Sequence, residues 1–247
     1  MTERGRFRRS PAGATALTLL AVGLGGWAVV NSPLFETRRI EVRGSRNLSA
    51  AEIIDASGVH TGDNLMRLSL DRVAAEVERL PWVVEAAADR DLPSTLVLRV
   101  VERTAVGWFD GPGGVSMVAR DGTVLDLPPE PPHRLPALGE WPTPLAPGDR
   151  VSSAPATLRV AASMDAALLH RISAFRSRDE VALELRDGGT VQYGSPTALP
   201  RKNLELVRLL RWVRRQGIEI DTIDLRVPDA PTLDPVGEQA ISPSPFP

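Results

Sequence analysis

Apolar residues follow different patterns along the chain, and each predicts a different kind of element. Ala12 to Val30 is apolar on every face, and nothing ionises between Arg9 and Glu36. The nineteen residues of this segment, at ~1.5 Å rise each, reach roughly 28 Å, close to the hydrocarbon thickness of a bilayer. No small-x-small cleavage signal follows at Trp27-Ala28-Val29-Val30-Asn31, so residues 12–30 read as a retained transmembrane helix rather than a signal peptide. A short basic head precedes it (residues 1–11, with Arg4, Arg6, Arg8 and Arg9). Arg38, Arg39, Arg43 and Arg46 lie on the other side. Long translocated domains count for little in the positive-inside rule, so the head predicts a cytoplasmic N-terminus and an extracytoplasmic body.

Beyond the span the period shortens. Ile40 and Val42 alternate with charges, as in a half-buried strand. Ser49 and Glu52 form a capping-box pattern that opens a helix running to Gly58. Leu70, Val73, Ala74 and Val77 mark one face of a second helix, which Pro81 stops. Strands follow at residues 83–90 and 95–102 around a turn with Asp91, Leu92 and Pro93. Residues 34–103 thus read β-α-α-β-β, two helices on one face of a three-stranded sheet.

Residues 104–228 read mainly as strand. Asp121-Gly122 and Asp187-Gly188 each sit between alternating apolar runs, the signature of a hairpin. The proline-rich stretch at 128–147 reads as a surface connector. A helix is expected over 156–172, and another over 200–215 that buries Leu206, Leu209, Leu210 and Val213. Ile218, Ile220, Ile223, Leu225 and Val227 alternate as one or two closing strands. Residues 229–247, rich in proline and poor in apolar pattern, are expected to be disordered. The predicted fold class is α+β: a transmembrane helix, the β-α-α-β-β unit, then a mostly antiparallel β domain with flanking helices.

Composition narrows the function. Lysine and arginine number 29 against 31 acidic residues, which gives no global pull toward nucleic acid. Cysteine is absent, and His60, His133 and His170 stand in no ligand spacing. There is no nucleophile elbow, zinc-protease helix or phosphate loop. The expectation is a protein without catalysis, cofactor, metal or small-molecule substrate. Arg201, Arg208, Arg211 and Arg215 recur at helical spacing. They form either a solvated face or a docking surface for an acidic partner or anionic headgroups.

From Leu80 a denser pattern begins: Pro81-Trp82-Val83, Ala86, Arg90, Pro93, Thr95-Leu96, Val100, Glu102-Arg103, Ala105 and Trp108. Leu135-Pro136-Ala137-Leu138-Gly139 and Asp224-Leu225-Arg226 follow in order. Together these resemble the signature of the FtsQ/DivIB cell-division proteins, of the actinobacterial type, over residues 32–227. The resemblance implies a membrane-proximal POTRA domain at 34–103 and an FtsQ-type β domain at 104–228. It also implies a single-pass plasma-membrane protein at the division septum, a non-catalytic scaffold between early and late division proteins. The implied partners are FtsB/DivIC-like and FtsL-like proteins, with other division proteins reached through the POTRA domain. On this resemblance Asp224, Leu225, Arg226 and Val227 form the partner-binding strand, and Arg226 faces an acidic residue of the partner; the alternation itself reads the side chains of Ile223 and Leu225 as core. Arg178 supplies a second basic contact, and Arg208 and Arg211 belong to the helix before the strand. Backbone pairing is expected at an open edge along residues 222–227. A POTRA-bearing chaperone and an anchored cell-wall enzyme are the competing readings.

Overall fold

A computed structural model describes residues 11–151 and 154–237; for residues 11–19 and 29 it describes the backbone only. The chain divides into two compact units, Met1–Glu102 and Arg103–Pro247.

The first unit opens with helix α1 (Pro11–Val30). Among the described residues no helix is long and apolar enough to cross a membrane. Nine of the nineteen side chains of the expected span at 12–30 lie outside the described residues. Those described at its C-terminal end, Leu20, Val22, Leu24 and Trp27, are exposed. After α1 come β1 (Arg39–Arg43), α2 (Ala50–Ser57), α3 (Leu70–Val77), β2 (Val83–Asp91) and β3 (Thr95–Glu102). The strands form one sheet in the order β1-β3-β2, β1 parallel and β2 antiparallel to β3. The capping box at α2 is complete: Ser49 Oγ accepts from the Glu52 N–H, and the Glu52 carboxylate accepts from the Ser49 N–H at 2.8 Å. Ile53 of α2 and Val73 and Val77 of α3 meet Leu96, Leu98 and Val100 of β3 in the core.

Two charged residues of the signature hold backbone in this unit. The Arg90 guanidinium donates to the carbonyls of Leu65 and Leu68, which ties down the segment before α3. Glu102 accepts from the backbone N–H groups of Arg46, Asn47 and Leu48 at 2.9–3.0 Å, and from Asn47 Nδ2 at 2.7 Å. Partial burial pushes the Glu102 carboxyl up, but these backbone donors outweigh it and hold the group below the usual carboxylate range.

The second unit carries a nine-stranded sheet. Its strands are β4 (Ala105–Asp110), β5 (Ser116–Ala119), β6 (Val124–Asp126), β7 (Ala137–Glu140), β8 (Ile172–Ser177), β9 (Val181–Leu185), β10 (Thr190–Gly194), β11 (Ile220–Asp224) and β12 (Thr232–Pro235). Their order is β12-β11-β10-β9-β8-β7-β4-β5-β6. Pairing is antiparallel except where β7 meets β4 and β8 and where β10 meets β11. Helices α4 (Ala156–Ser163), α5 (Ala166–Leu169) and α6 (Leu199–Gln216) share its core, through Leu158, Met164, Leu168, Leu206 and Leu209 among others. Arg103 Nε donates to Asp121 at 3.0 Å and so braces the β5–β6 turn against the start of the unit.

Three expectations are corrected here. The stretch at 128–147 is not only a connector, because β7 lies inside it and joins two halves of the sheet. Gly107 in β4 admits that strand: a Cβ there would stand 2.6 Å from Leu138 Cγ. The helix expected over 156–172 ends at Ser163, and a second short turn ends at Leu169. Met164 is extended, Asp165 accepts from the Leu168 N–H to start α5, and Ile172 already belongs to β8. The apolar spacing ran on because helices and strand face one core. The third concerns 229–247. Thr232–Pro235 is a strand paired with β11, and Leu233 is fully buried opposite Ile223. Prolines made this segment read as unfolded, but an edge strand tolerates proline where its missing N–H faces away from the ladder. Residues 238–247 lie outside the described residues.

Candidate functional site

The C-terminal strands gather most of the residues expected at a partner-binding edge. β11 is paired on both sides, parallel to β10 and antiparallel to β12. The edge expected to be open at 222–227 is therefore closed by the chain itself over residues 222–224, because Thr232–Pro235 folds back along them. Among the described residues the unpaired edge of the sheet at this end belongs to β12. It is short, with Pro231 before it and Pro235 as its last residue, so backbone donors on it are confined to Thr232, Leu233 and Asp234.

Just beyond β11, Arg226 folds back on Asp224. Its Nη2 donates to the Asp224 carboxylate at 2.6 Å and its Nε at 3.0 Å, while the Arg226 N–H also reaches Asp224 Oδ1 at 2.9 Å. The Arg226 hydrogen bond is the main reason the Asp224 carboxyl lies below its ordinary range. The arginine's stem crosses Gly194 at the end of β10. That glycine has φ +75°, and a Cβ there would stand 2.9 Å from Arg226 Cγ. Arg226 and Val227 remain exposed, whereas Leu225 is wholly buried, as core packing alone requires.

Lys202 lies behind this pair. It is 2% exposed, on the apolar side of the first turns of α6. Its ammonium donates to the carbonyls of Tyr193 at 2.7 Å and Ser195 at 3.1 Å and stands 5.1 Å from the Tyr193 ring centre. Burial pushes the Lys202 ammonium down, and the charges of Glu180 and Asp224 pull it partly back. Burial also raises the Tyr193 hydroxyl, which donates to Asn203 at 2.8 Å. The result is a tightly bonded corner where β10 enters α6.

Comparison with known proteins bears on what this edge belongs to. Residues 35–103 match the model of the FtsQ-type POTRA domain. Cell division protein FtsQ of Mycobacterium tuberculosis is 30% identical over 234 residues, 93% of this chain and 71% of that protein. The chain belongs to the FtsQ family. FtsQ of Mycolicibacterium smegmatis is 33% identical over 221 residues (89% of this chain, 63% of that one). FtsQ of Mycobacteroides abscessus is 29% identical over 219 residues (88% and 67%). The chain spans roughly two thirds of the length of these relatives.

In this FtsQ-family chain the expected partner residues separate into two groups. Arg178 lies in the β8–β9 turn, exposed and without a hydrogen-bond or ion-pair partner among the described residues. It shares an end of the sheet with Asp224, Arg226 and Val227, since Val181 after that turn pairs with Gly194. Arg208 and Arg211 lie apart from these on α6, where Arg208 pairs with Glu205 at 2.8 Å. Sequence reasoning missed Lys202 and the Asp224–Arg226 pairing. Lys202 did leave a signal: it occupies the same helical stripe as Leu206, Leu209, Leu210 and Val213. A lone lysine there predicts a buried, bonded ammonium.

Among the described residues no three histidine, aspartate or glutamate side chains gather as a metal site. An open cleft of about 540 Å³ lies at the ends of β4 and β7, with Asp110, Glu140 and the half-buried Trp141 in its walls. Both carboxylates are exposed.

Proposed function

We propose that this FtsQ-family chain is a non-catalytic scaffold of the division machinery. It is held by a single-pass anchor at residues 12–30, with a cytoplasmic N-terminus and its two units outside the plasma membrane at the septum. Its second unit receives an extended segment of an FtsB-like protein, itself paired with an FtsL-like protein, by strand addition along β12. The single observation that carries this reading is the position of β12, last in a nine-stranded sheet with its outer edge unpaired among the described residues.

Strand addition gives affinity through main-chain hydrogen bonds and specificity through the side chains beside them. Here the proline-bounded edge is short, so the side chains at its end carry a larger share. Arg226 presents an exposed guanidinium already oriented by Asp224. An acidic partner residue would complete its remaining donors without first freezing the side chain, which lowers the entropy cost of binding. Arg178 on the same end adds a second cation, and Val227 an exposed apolar contact.

The test is co-purification and titration of the full chain, in neutral detergent, with the FtsB-like and FtsL-like proteins of its own organism. The wild type is expected to bind them. Arg226→Glu is expected to weaken binding by about tenfold or more, the equivalent of ~1.4 kcal/mol, with thermal stability nearly unchanged. Absence of any complex would overturn the scaffold reading. Undiminished binding by Arg226→Glu would remove only the Arg226 contact.

A further inference from the structure

Helix α6 carries cations that the β12 edge does not use. Arg208, Arg211 and Arg214 follow one another at three-residue spacing on its exposed side. Arg208 is paired with Glu205, but Arg211 and Arg214 have no hydrogen-bond or ion-pair partner among the described residues. They stand over a groove of about 290 Å³ between α5 and α6, whose floor is formed by Leu168, Val207 and Leu210. Arg171 closes the groove from the start of β8. A second hollow, of about 390 Å³, shares Arg171 and Arg214 and continues past the β9–β10 turn. Asp165, the one acidic residue lining the α5–α6 groove, accepts from the Leu168 N–H at 2.7 Å; of the two acids lining the second hollow, Asp187 pairs with Arg171 at 3.1 Å and Glu219 is exposed.

This groove lies at the end of the sheet opposite Asp224 and Arg226. Arg171 and Asp187 flank the start of β8 and the β9–β10 turn, whereas Asp224 closes β11, which runs parallel to β10. It is therefore a separate surface and does not depend on strand addition at β12.

We propose that the α5–α6 groove is a second docking site, and that its occupant is an acidic amphipathic segment of a partner protein. Two carboxylates one helical turn apart would meet Arg211 and Arg214, and an apolar side chain between them would rest on Leu210 and Leu168. Charge complementarity selects the sign, because two unpaired guanidiniums beside a third favour an anionic guest and repel a basic one. The apolar floor selects an amphipathic chain over a free anion. Concavity selects a peptide over a membrane: a bilayer surface meets a flat or convex cationic face, whereas these cations border a hollow of side-chain dimensions.

The experiment uses the full chain in neutral detergent and a fluorescently labelled synthetic helix with glutamate pairs one turn apart and leucines between. Binding is read by anisotropy. Expected results are saturable binding that weakens as salt rises, and a loss of about tenfold or more in the double variants Arg211→Glu/Arg214→Glu and Arg211→Gln/Arg214→Gln. A charge-matched control away from the groove, Arg134→Glu/Arg159→Glu, is expected to bind as wild type. Circular dichroism verifies that each variant is folded. Equal loss in the control would reduce the effect to net charge and overturn the site. Equal binding of a helix with the same composition but scrambled spacing would do the same. Phosphatidylglycerol vesicles form the last arm: if they depend on Arg211 and Arg214 and the peptide does not, the surface is a membrane contact and the proposal fails.

Discussion

Leu233 is the residue through which the chain beyond Pro228 becomes part of the fold, and its truncation is the sharpest check on the C-terminal edge. It is fully buried, faces Ile223 across the ladder and belongs to the core of the second unit. Burying a leucine side chain contributes about 1.5–3 kcal/mol, and Leu→Ala in a packed core costs about 2–5 kcal/mol once the cavity is counted. β12 is four residues long and held along one edge, so it can relax around a void more freely than a central strand. The lower end applies, about 2 kcal/mol, which is roughly thirtyfold in the equilibrium for releasing the strand. Hydrogen exchange on the full chain should therefore show β11 amides exchanging about thirtyfold faster in Leu233→Ala. The β8 and β9 amides should change little, and the urea midpoint should fall modestly. Val236→Ala, at a 58% exposed neighbour, is the control and should leave both readouts unchanged. Unaltered β11 exchange in Leu233→Ala would refute the reasoning and return residues 229–237 to an unstructured tail.

Two further outcomes follow from hydrogen-bonded charged groups. Glu102 accepts from four donor groups of residues 46–48. Its folded carboxyl is depressed, so its stabilisation is complete above the unfolded value of about 4.3 and is lost as pH falls through the folded one. Glu102→Gln should cost about 1–3 kcal/mol at neutral pH and flatten the acid limb of stability in urea titrations; an unchanged slope with pH would remove Glu102 from that role. Lys202→Met relieves a buried charge but leaves the carbonyls of Tyr193 and Ser195 without their donor. The unmet carbonyls should dominate, with a loss of about 1–3 kcal/mol in urea denaturation; a variant as stable as wild type would mean that water or backbone movement replaces the ammonium.

The first unit was largely legible because its signals are local. The Ser49–Glu52 box, Pro81 after the second helix and the alternation at Leu96, Leu98 and Val100 each act within a few residues. The two hairpins at Asp121-Gly122 and Asp187-Gly188 were legible for the same reason, since antiparallel neighbours are joined by the turn that specifies them. β7 was not. Its partners β4 and β8 are parallel to it and remote in sequence, and four residues between prolines carry no periodicity of their own. The helix expected over 156–172 failed because apolar spacing reports which side faces the core and not whether the backbone has stopped coiling.

At the proposed partner-binding edge, the sequence by itself determined the residue types: an Asp-Leu-Arg strand end, a basic residue at Arg178 and an amphipathic arginine helix. Only tertiary structure decided which of these are available. It turned Arg226 onto Asp224, sank Lys202 into the core and laid Thr232–Pro235 along part of the edge expected to be open. The physical reason is that exposure, pairing and edge status depend on which distant segments pack beside a residue. A pattern along the chain encodes only what each residue prefers before they arrive.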